Sequence, residues 1–111
     1  MGFALSEIQL QSTAFKNGEM IPDKHTGTGE DVSPELHWSN PPEGTKAYAL
    51  ICHDPDAPLI SENGTYGFVH WTLYNIPADV TSLAEGSGEF TQGVNNMGNS
   101  GYNGPMPPEG H

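Results

Sequence analysis

The chain has little positive charge and a single cysteine. Its 111 residues carry three lysines and no arginine against 14 acidic residues, a formal charge of −11. Because nucleic acids and anionic membrane surfaces are bound through clusters of Lys and Arg, the composition argues against both as partners. With Cys52 alone, the chain can form neither an internal disulfide nor a multi-cysteine zinc site.

Long hydrophobic runs are also missing. The longest apolar run, Ala47 to Cys52, is far shorter than the ~20 residues that span a bilayer. The start, MGFALSEIQLQS, has no basic region followed by an apolar stretch, so it is not typical of a signal peptide. The sequence therefore predicts a soluble cytoplasmic protein with no transmembrane segment, and its length suits one domain.

Glycine and proline are abundant and interrupt almost every window that could form a helix, whereas strand patterns are clear. Ser6 to Phe15 alternates apolar and polar residues, as in a half-buried strand. Ala47 to Asp54 is apolar on both faces, which predicts a fully buried strand. Gly67 to Ile76 is rich in β-branched and aromatic residues. Shorter strands are expected near Leu36 to Trp38 and near Phe90, which together predict a mainly β fold.

Two acidic residues and a histidine flank the loop between the two dense strands. If these strands pair antiparallel, Asp54 and His70 meet at the same end of the ladder, with Asp56 nearby. Two plainer interpretations stay open: Asp54-Pro55-Asp56 forms only a turn, and His70 is a buried structural histidine. A metal site that adds His53 is disfavoured, because His53 and Asp54 point to opposite faces of a strand and too few ligands converge.

The segment GPMPPEG, residues 104–110, cannot be an interior strand because proline donates no backbone hydrogen bond. Its prolines fix the backbone and its glycines allow close approach. We expect either a rigid pocket wall whose glycine amides point at an anion, or a plain connector.

Four segments resemble the phosphatidylethanolamine-binding protein family, in its bacterial and archaeal Raf-kinase-inhibitor-like branch. They are GEDVSPELHW, PPEGTKAYALICHDPDAP, FVHWTLYNIP and GYNGPMPPEGH, in this order. The resemblance implies a β-sandwich with long loops, a few short peripheral helices, and a small pocket for phosphate-like groups that binds without turnover, metal or cofactor. The pocket residues that it implies are Asp54, Asp56, Pro58, His70, Gly104, Pro105, Pro107 and Pro108.

Family members continue past the proline-rich loop into a further strand and helix. The resemblance therefore implies that residues 1–111 are one domain and the N-terminal fragment of a longer or nicked chain, with a C-terminal fragment as its partner. Two other functions are weighed. One is an inhibitor of a kinase or serine protease that uses Leu59 to Tyr66, and the other is a metal-assisted hydrolase that uses Asp54, Asp56 and His70. Relatives also suggest a homodimer.

Within this pocket, a protonated His70 is expected to bind the anion. Asp54 or Asp56 is expected to orient the histidine or to accept a hydrogen bond from the ligand. Because an imidazole loses its charge between about pH 5 and 8, anion binding should weaken as the pH rises.

Overall fold

The computed structural model describes residues 6–57 and 67–107, which form two antiparallel sheets of three strands each. The first sheet has the order β1-β2-β5 and the second the order β3-β4-β6. The strands are β1 (Gln9–Gln11), β2 (Leu36–Ser39), β3 (Ala47–Asp54), β4 (Phe68–Pro77), β5 (Ser82–Leu83) and β6 (Thr91–Gln92), with a short 3₁₀ helix at Asp23–His25. The mainly β prediction is confirmed.

The hydrophobic core joins the two sheets. Trp38 and Leu83 come from the first sheet, and Trp71, Leu73 and Ile76 come from the second. Burying large aromatic and aliphatic side chains at about 25 cal/mol per Å² is the main stabilising contribution to such a fold. Both tryptophans are therefore core residues.

Strand β3 is not buried on both faces, so this part of the sequence prediction was wrong. Tyr48, Leu50 and Cys52 are half-buried and pack against the core, whereas Ile51 on the other face is 68% exposed. An apolar composition is compatible with full burial, but only one face of this strand meets the opposite sheet. The alternation is thus set by the layer arrangement and not by the residue types.

Strand β4 contains two bulges that break its regular alternation. Cys52 pairs with Trp71 while His53 pairs with Val69, so His70 is an extra residue with no counterpart on β3. As a result His70 and Trp71 are both buried, although strict alternation places them on opposite faces. The second irregularity lies between Leu73 and Ile76, where one more residue is inserted on β4.

The N-terminal strand β1 is exposed along its whole length. Leu10 is 60% exposed, so the prediction of a half-buried strand was wrong for the described residues. Polar contacts to Glu35 fix the chain beside it: the Thr13 amide donates to the Glu35 carboxylate at 2.9 Å, and His37 Nδ1 lies 3.0 Å from it. Burial acts to raise the pKa of Glu35, but these hydrogen bonds outweigh it, and the pKa lies below the ordinary carboxyl value.

The other short elements agree with the sequence. β2 forms where a short strand is expected, β6 directly follows Phe90, and Gly18 lies in a turn with φ 84°. β5 had no strand signal of its own. Among residues 6–57 and 67–107, no helix is long and apolar enough to cross a membrane.

Candidate functional site

A cavity of about 360 Å³ opens between the two sheets, beside the end of β3. Its walls are mostly apolar side chains from both sheets, and its polar lining comes from His53, Asp54, His70 and Tyr102. The full lining consists of Leu10, Phe15, Ile21, Pro34, Leu36, Leu50, Ile51, Cys52, His53, Asp54, Pro55, His70, Trp71, Tyr102 and Pro105. Polar groups thus converge on an otherwise apolar cavity, as is typical of ligand sites.

His70 is the most unusual polar residue of this cavity. It lies at a β-bulge, a feature that re-aims side chains next to functional sites, and only 7% of its surface is exposed. Its Nδ1 lies 2.8 Å from the carbonyl oxygen of Asn103. Since a carbonyl only accepts hydrogen bonds, Nδ1 carries a proton. Nε2 is buried and meets no hydrogen-bond partner within the part of the chain that the structure describes.

Asp54 lies in the cavity wall at the end of β3 and pairs with Phe68, so the predicted meeting of Asp54 and His70 at one end of the ladder is confirmed. The turn interpretation is also correct, because Asp54 Oδ1 accepts the Asp56 amide at 3.0 Å. Asp56 itself is exposed and outside the cavity lining. The predicted orienting contact is wrong, because the Asn103 carbonyl and not a carboxylate holds the His70 ring.

Gly67 allows β4 to begin close to Asp54. It has φ 83°, and a Cβ at this position would overlap the Asp54 carbonyl oxygen and approach His53 Nε2. Only glycine suits this backbone and this approach. Gly67 therefore sets how closely the start of β4 approaches the Asp54 end of the cavity.

The proline-rich loop contributes one wall residue, Pro105. Contrary to one of the two expectations for this loop, the Gly104 amide is not free for a bound ligand, because it already donates to the Asp31 carboxylate at Oδ1, 2.5 Å away. A Cβ on Gly104 would overlap the His25 carbonyl oxygen, so the loop packs tightly on the segment before β2. Pro107 is exposed and outside the lining, and Pro58 and Pro108 lie outside the described residues.

Sequence reasoning missed two residues of the site, Tyr102 and Asn103. Tyr102 lines the cavity, stacks edge-on against Trp71 with centroids 5.6 Å apart, and donates to the His25 carbonyl at 2.5 Å. Asn103 holds the His70 ring. Both residues belong to the segment GYNGPMPPEGH that carries the family resemblance, and this position is the sequence signal that could have identified them.

Two neighbouring groups of the cavity are held in their neutral forms. Burial raises the pKa of the Cys52 thiol, and the Asp54 carboxylate adds to the effect. Burial also raises the pKa of the Tyr102 phenol, and the nearby Cys52 and Asp31 raise it further. At neutral pH this wall therefore presents a thiol and a phenol, not anions.

A resident metal has no obvious ligand set here. Within residues 6–57 and 67–107, no three His, Cys, Asp or Glu side chains lie together so that they could hold one ion. The predicted hydrolase residues accordingly do not form a metal cluster within that part of the chain.

The fold and the cavity define a small two-sheet β protein with a histidine-centred site beside one end of a sheet. The family model for phosphatidylethanolamine-binding proteins matches residues 11–111. The chain therefore belongs to the phosphatidylethanolamine-binding protein family, and the resemblance noted in the sequence is confirmed.

Individual relatives agree with this assignment. A UPF0098 protein of Aquifex aeolicus is 45% identical over 111 residues, which cover 94% of this chain and 61% of the relative. The crystal structure of Escherichia coli YbcL, described as a new member of the mammalian PEBP family, is 38% identical with a TM-score of 0.85 and covers 96% of this chain and 70% of that one. A phosphatidylethanolamine-binding protein homologue of Chlamydia trachomatis is 40% identical with a TM-score of 0.83, over 92% and 67% of the two chains.

The chain spans only part of the length of its relatives. It covers 61% of the Aquifex protein and 69% of a 40% identical relative from Methanothermobacter thermautotrophicus. An activity of the complete relatives can therefore only be proposed for this chain.

Proposed function

We propose that the cavity binds a small anionic group of the phosphate type, through His70, and does so without chemical turnover. The observation that carries this proposal is the Nε2 atom of His70, which is buried in the cavity wall and has no partner within the described residues. A buried polar atom without a hydrogen bond costs about 1–3 kcal/mol. A ligand hydroxyl that donates to neutral Nε2 would remove this cost, and a protonated Nε2 would itself donate to an anionic ligand oxygen.

The electrostatics support a local interaction and not long-range attraction. With a formal charge of −11, the protein as a whole repels anions. An anion must therefore gain its affinity from short contacts inside the cavity, where a charge-assisted hydrogen bond is strong. An imidazolium at His70 supplies such a donor when the pH is low enough for it to form.

Asp54 extends the proposal to ligands with two charges of opposite sign. Its carboxylate lies in the same cavity wall and suits an ammonium group or a protonated phosphate oxygen. A phosphoethanolamine group combines a phosphate for His70 with an ammonium for Asp54. This chemistry agrees with the description of the family to which the chain belongs.

The proposal is tested by following ¹H–¹⁵N spectra during titration with inorganic phosphate and, separately, with phosphoethanolamine. Saturable shifts at and around His70 are expected at mildly acidic pH, and they should weaken at alkaline pH because only a protonated imidazole is a charged donor. His70→Ala should remove saturable binding. The control His37→Ala changes a histidine outside the cavity lining and should retain it.

Two results would overturn the proposal: His70→Ala binds phosphate like the wild type, or affinity does not change from low to high pH. Loss of binding in the control as well would show that general stability, and not the site, is being measured. Circular dichroism of each variant checks that the fold persists.

No observation favours the inhibitor alternative. The segment on which it depends, Leu59 to Tyr66, lies outside the described residues. The cytoplasmic location and the homodimer likewise stay predictions. The hydrolase alternative is tested by elemental analysis of the purified protein, where a stoichiometric metal would support it.

A further inference from the structure

Asp31 has a left-handed backbone conformation. Its φ is 58°, in the left-handed region that non-glycine residues adopt infrequently. The side chain accounts for it, because both carboxylate oxygens are engaged 72 to 73 positions further along the chain. Oδ1 accepts the Gly104 amide at 2.5 Å, and Oδ2 accepts the Asn103 side-chain amide at 3.2 Å. Asp31 thus ties the segment before β2 to the loop that ends at the cavity.

The direction of the Asn103 side chain is fixed by three contacts together. Its Oδ1 accepts hydrogen bonds from the side-chain amides of Asn95 at 2.8 Å and Asn99 at 2.9 Å. With the oxygen so placed, the Nδ2 group faces Asp31 and donates to it. A flipped amide would set donors against donors at two of these contacts. The network therefore requires an acceptor at position 31.

The backbone of Asn103 in turn holds His70 from two sides. The Asn103 amide donates to the His70 carbonyl at 3.1 Å, and the Asn103 carbonyl accepts from His70 Nδ1 at 2.8 Å. The hydrogen bond at one ring nitrogen selects which tautomer the neutral imidazole adopts. Here it selects the Nδ1–H form and leaves Nε2 as the nitrogen without a proton.

We propose that Asp31 is a positioning residue for His70: through Asn103 and Gly104 it holds the Asn103 carbonyl against Nδ1 and so presents Nε2 as the ligand-binding atom. This proposal rests on the proposed function for its purpose, since the ligand is assigned to Nε2. Its structural content does not depend on any ligand. Asp31 is half-buried and lies outside the cavity lining, so it acts through the loop and not by contact with the ligand.

The test measures the His70 tautomer directly from imidazole ¹⁵N shifts, near pH 8, without ligand. The wild type should show the Nδ1–H form. Asp31→Asn keeps the shape but places a second NH₂ against either Asn103 or Gly104, so the loop loosens and the Nε2–H form should appear. The control Glu30→Gln removes the same charge at the exposed neighbouring position and should leave the tautomer unchanged.

Phosphate titrations of the same variants at mildly acidic pH give a second, separate result. Asp31→Asn should weaken phosphate binding roughly tenfold, which corresponds to the loss of about one hydrogen bond. A tautomer change in Asp31→Asn supports the positioning role even if the wild type binds no phosphate, in which case only the proposed function fails. A wild-type His70 in the Nε2–H form overturns the proposal without any variant. An unchanged tautomer and unchanged affinity in folded Asp31→Asn overturn it as well.

Discussion

Replacing Asn95 with alanine is expected to destabilise the fold strongly, because this buried side chain holds its loop together. Asn95 is 4% exposed, and its side chain makes four hydrogen bonds. Nδ2 donates to the Gly101 carbonyl and to Asn103 Oδ1, both at 2.8 Å. Oδ1 accepts the backbone amides of Met97 at 2.8 Å and Asn99 at 3.2 Å. One side chain therefore closes the loop between β6 and the cavity.

The size of the stability loss depends on whether each hydrogen-bond partner of Asn95 finds another partner in the alanine variant. A hydrogen bond contributes about 1 kcal/mol net, so four of them set an upper value of roughly 4 kcal/mol. Met97 and Asn99 are exposed, so water replaces part of what their amides lose. Asn103 Oδ1 also keeps its bond from the Asn99 side chain. We therefore expect a loss of about 2–3 kcal/mol, or roughly 10–20 °C in Tm for a domain of this size.

Urea unfolding followed by tryptophan fluorescence measures this loss, because Trp38 and Trp71 both lie in the core. Asn99→Ala is the matched control: it removes one exposed side-chain hydrogen bond of the same loop and should cost less than about 1 kcal/mol. Equal stability losses in the two variants would refute the reasoning, since the buried amide would then contribute nothing beyond the exposed one. An unchanged m-value is needed for the comparison, because a changed slope reports a different denatured or native state.

Three further outcomes are expected. Gly67→Ala should lower the free energy of unfolding by more than about 2 kcal/mol, because a positive φ is combined there with a steric overlap on Asp54. Gly44→Ala, at φ 85° with open space around it, should lower it by only about 1 kcal/mol. Similar losses in the two variants would show that the overlap at Gly67 adds nothing. The Cys52 thiol, whose pKa is raised by burial and by Asp54, should react with a disulfide reagent near pH 8 much more slowly in the folded than in the unfolded chain, and equal rates would contradict its burial. The pKa of Glu35 is lowered, so its carboxylate stabilises the fold above the ordinary pKa of 4.5, and this contribution disappears as the pH falls through the lowered pKa. Glu35→Gln should therefore be less stable than the wild type at pH 7, and the difference in stability should shrink on acidification. A difference that stays the same at every pH would refute this.

Strand positions were predictable because they depend on local composition. The bounds of β3 were read directly from the run that ends at Asp54, and most of β4 from its β-branched and aromatic residues. The bulge at His70 was not predictable, because it exists only as a mismatch between two strands in register. A one-residue insertion turns every following side chain to the other face. Burial of His70 beside Trp71 is thus a property of the pair of strands and not of either sequence.

The site also contains residues that local sequence indicates and residues that only the folded structure brings together. Asp54, His70 and Pro105 reach the cavity because strand ends and rigid loops place them there, and the motifs indicate them. Their supports come from positions distant in sequence, and no spacing rule connects Asp31 with Gly104.

The Asp31 contact also changes how an anion can be bound. A glycine amide that already donates to a carboxylate is not free for a ligand, and the carboxylate adds negative charge beside the loop. Of the two anion donors that the sequence suggested, the loop amides and the histidine, the structure leaves His70 as the one with a buried, unpartnered atom in the cavity wall among the described residues. An anion site built in this way should depend on pH far more than one built from backbone amides, because amides keep their donor character at every pH and an imidazole does not.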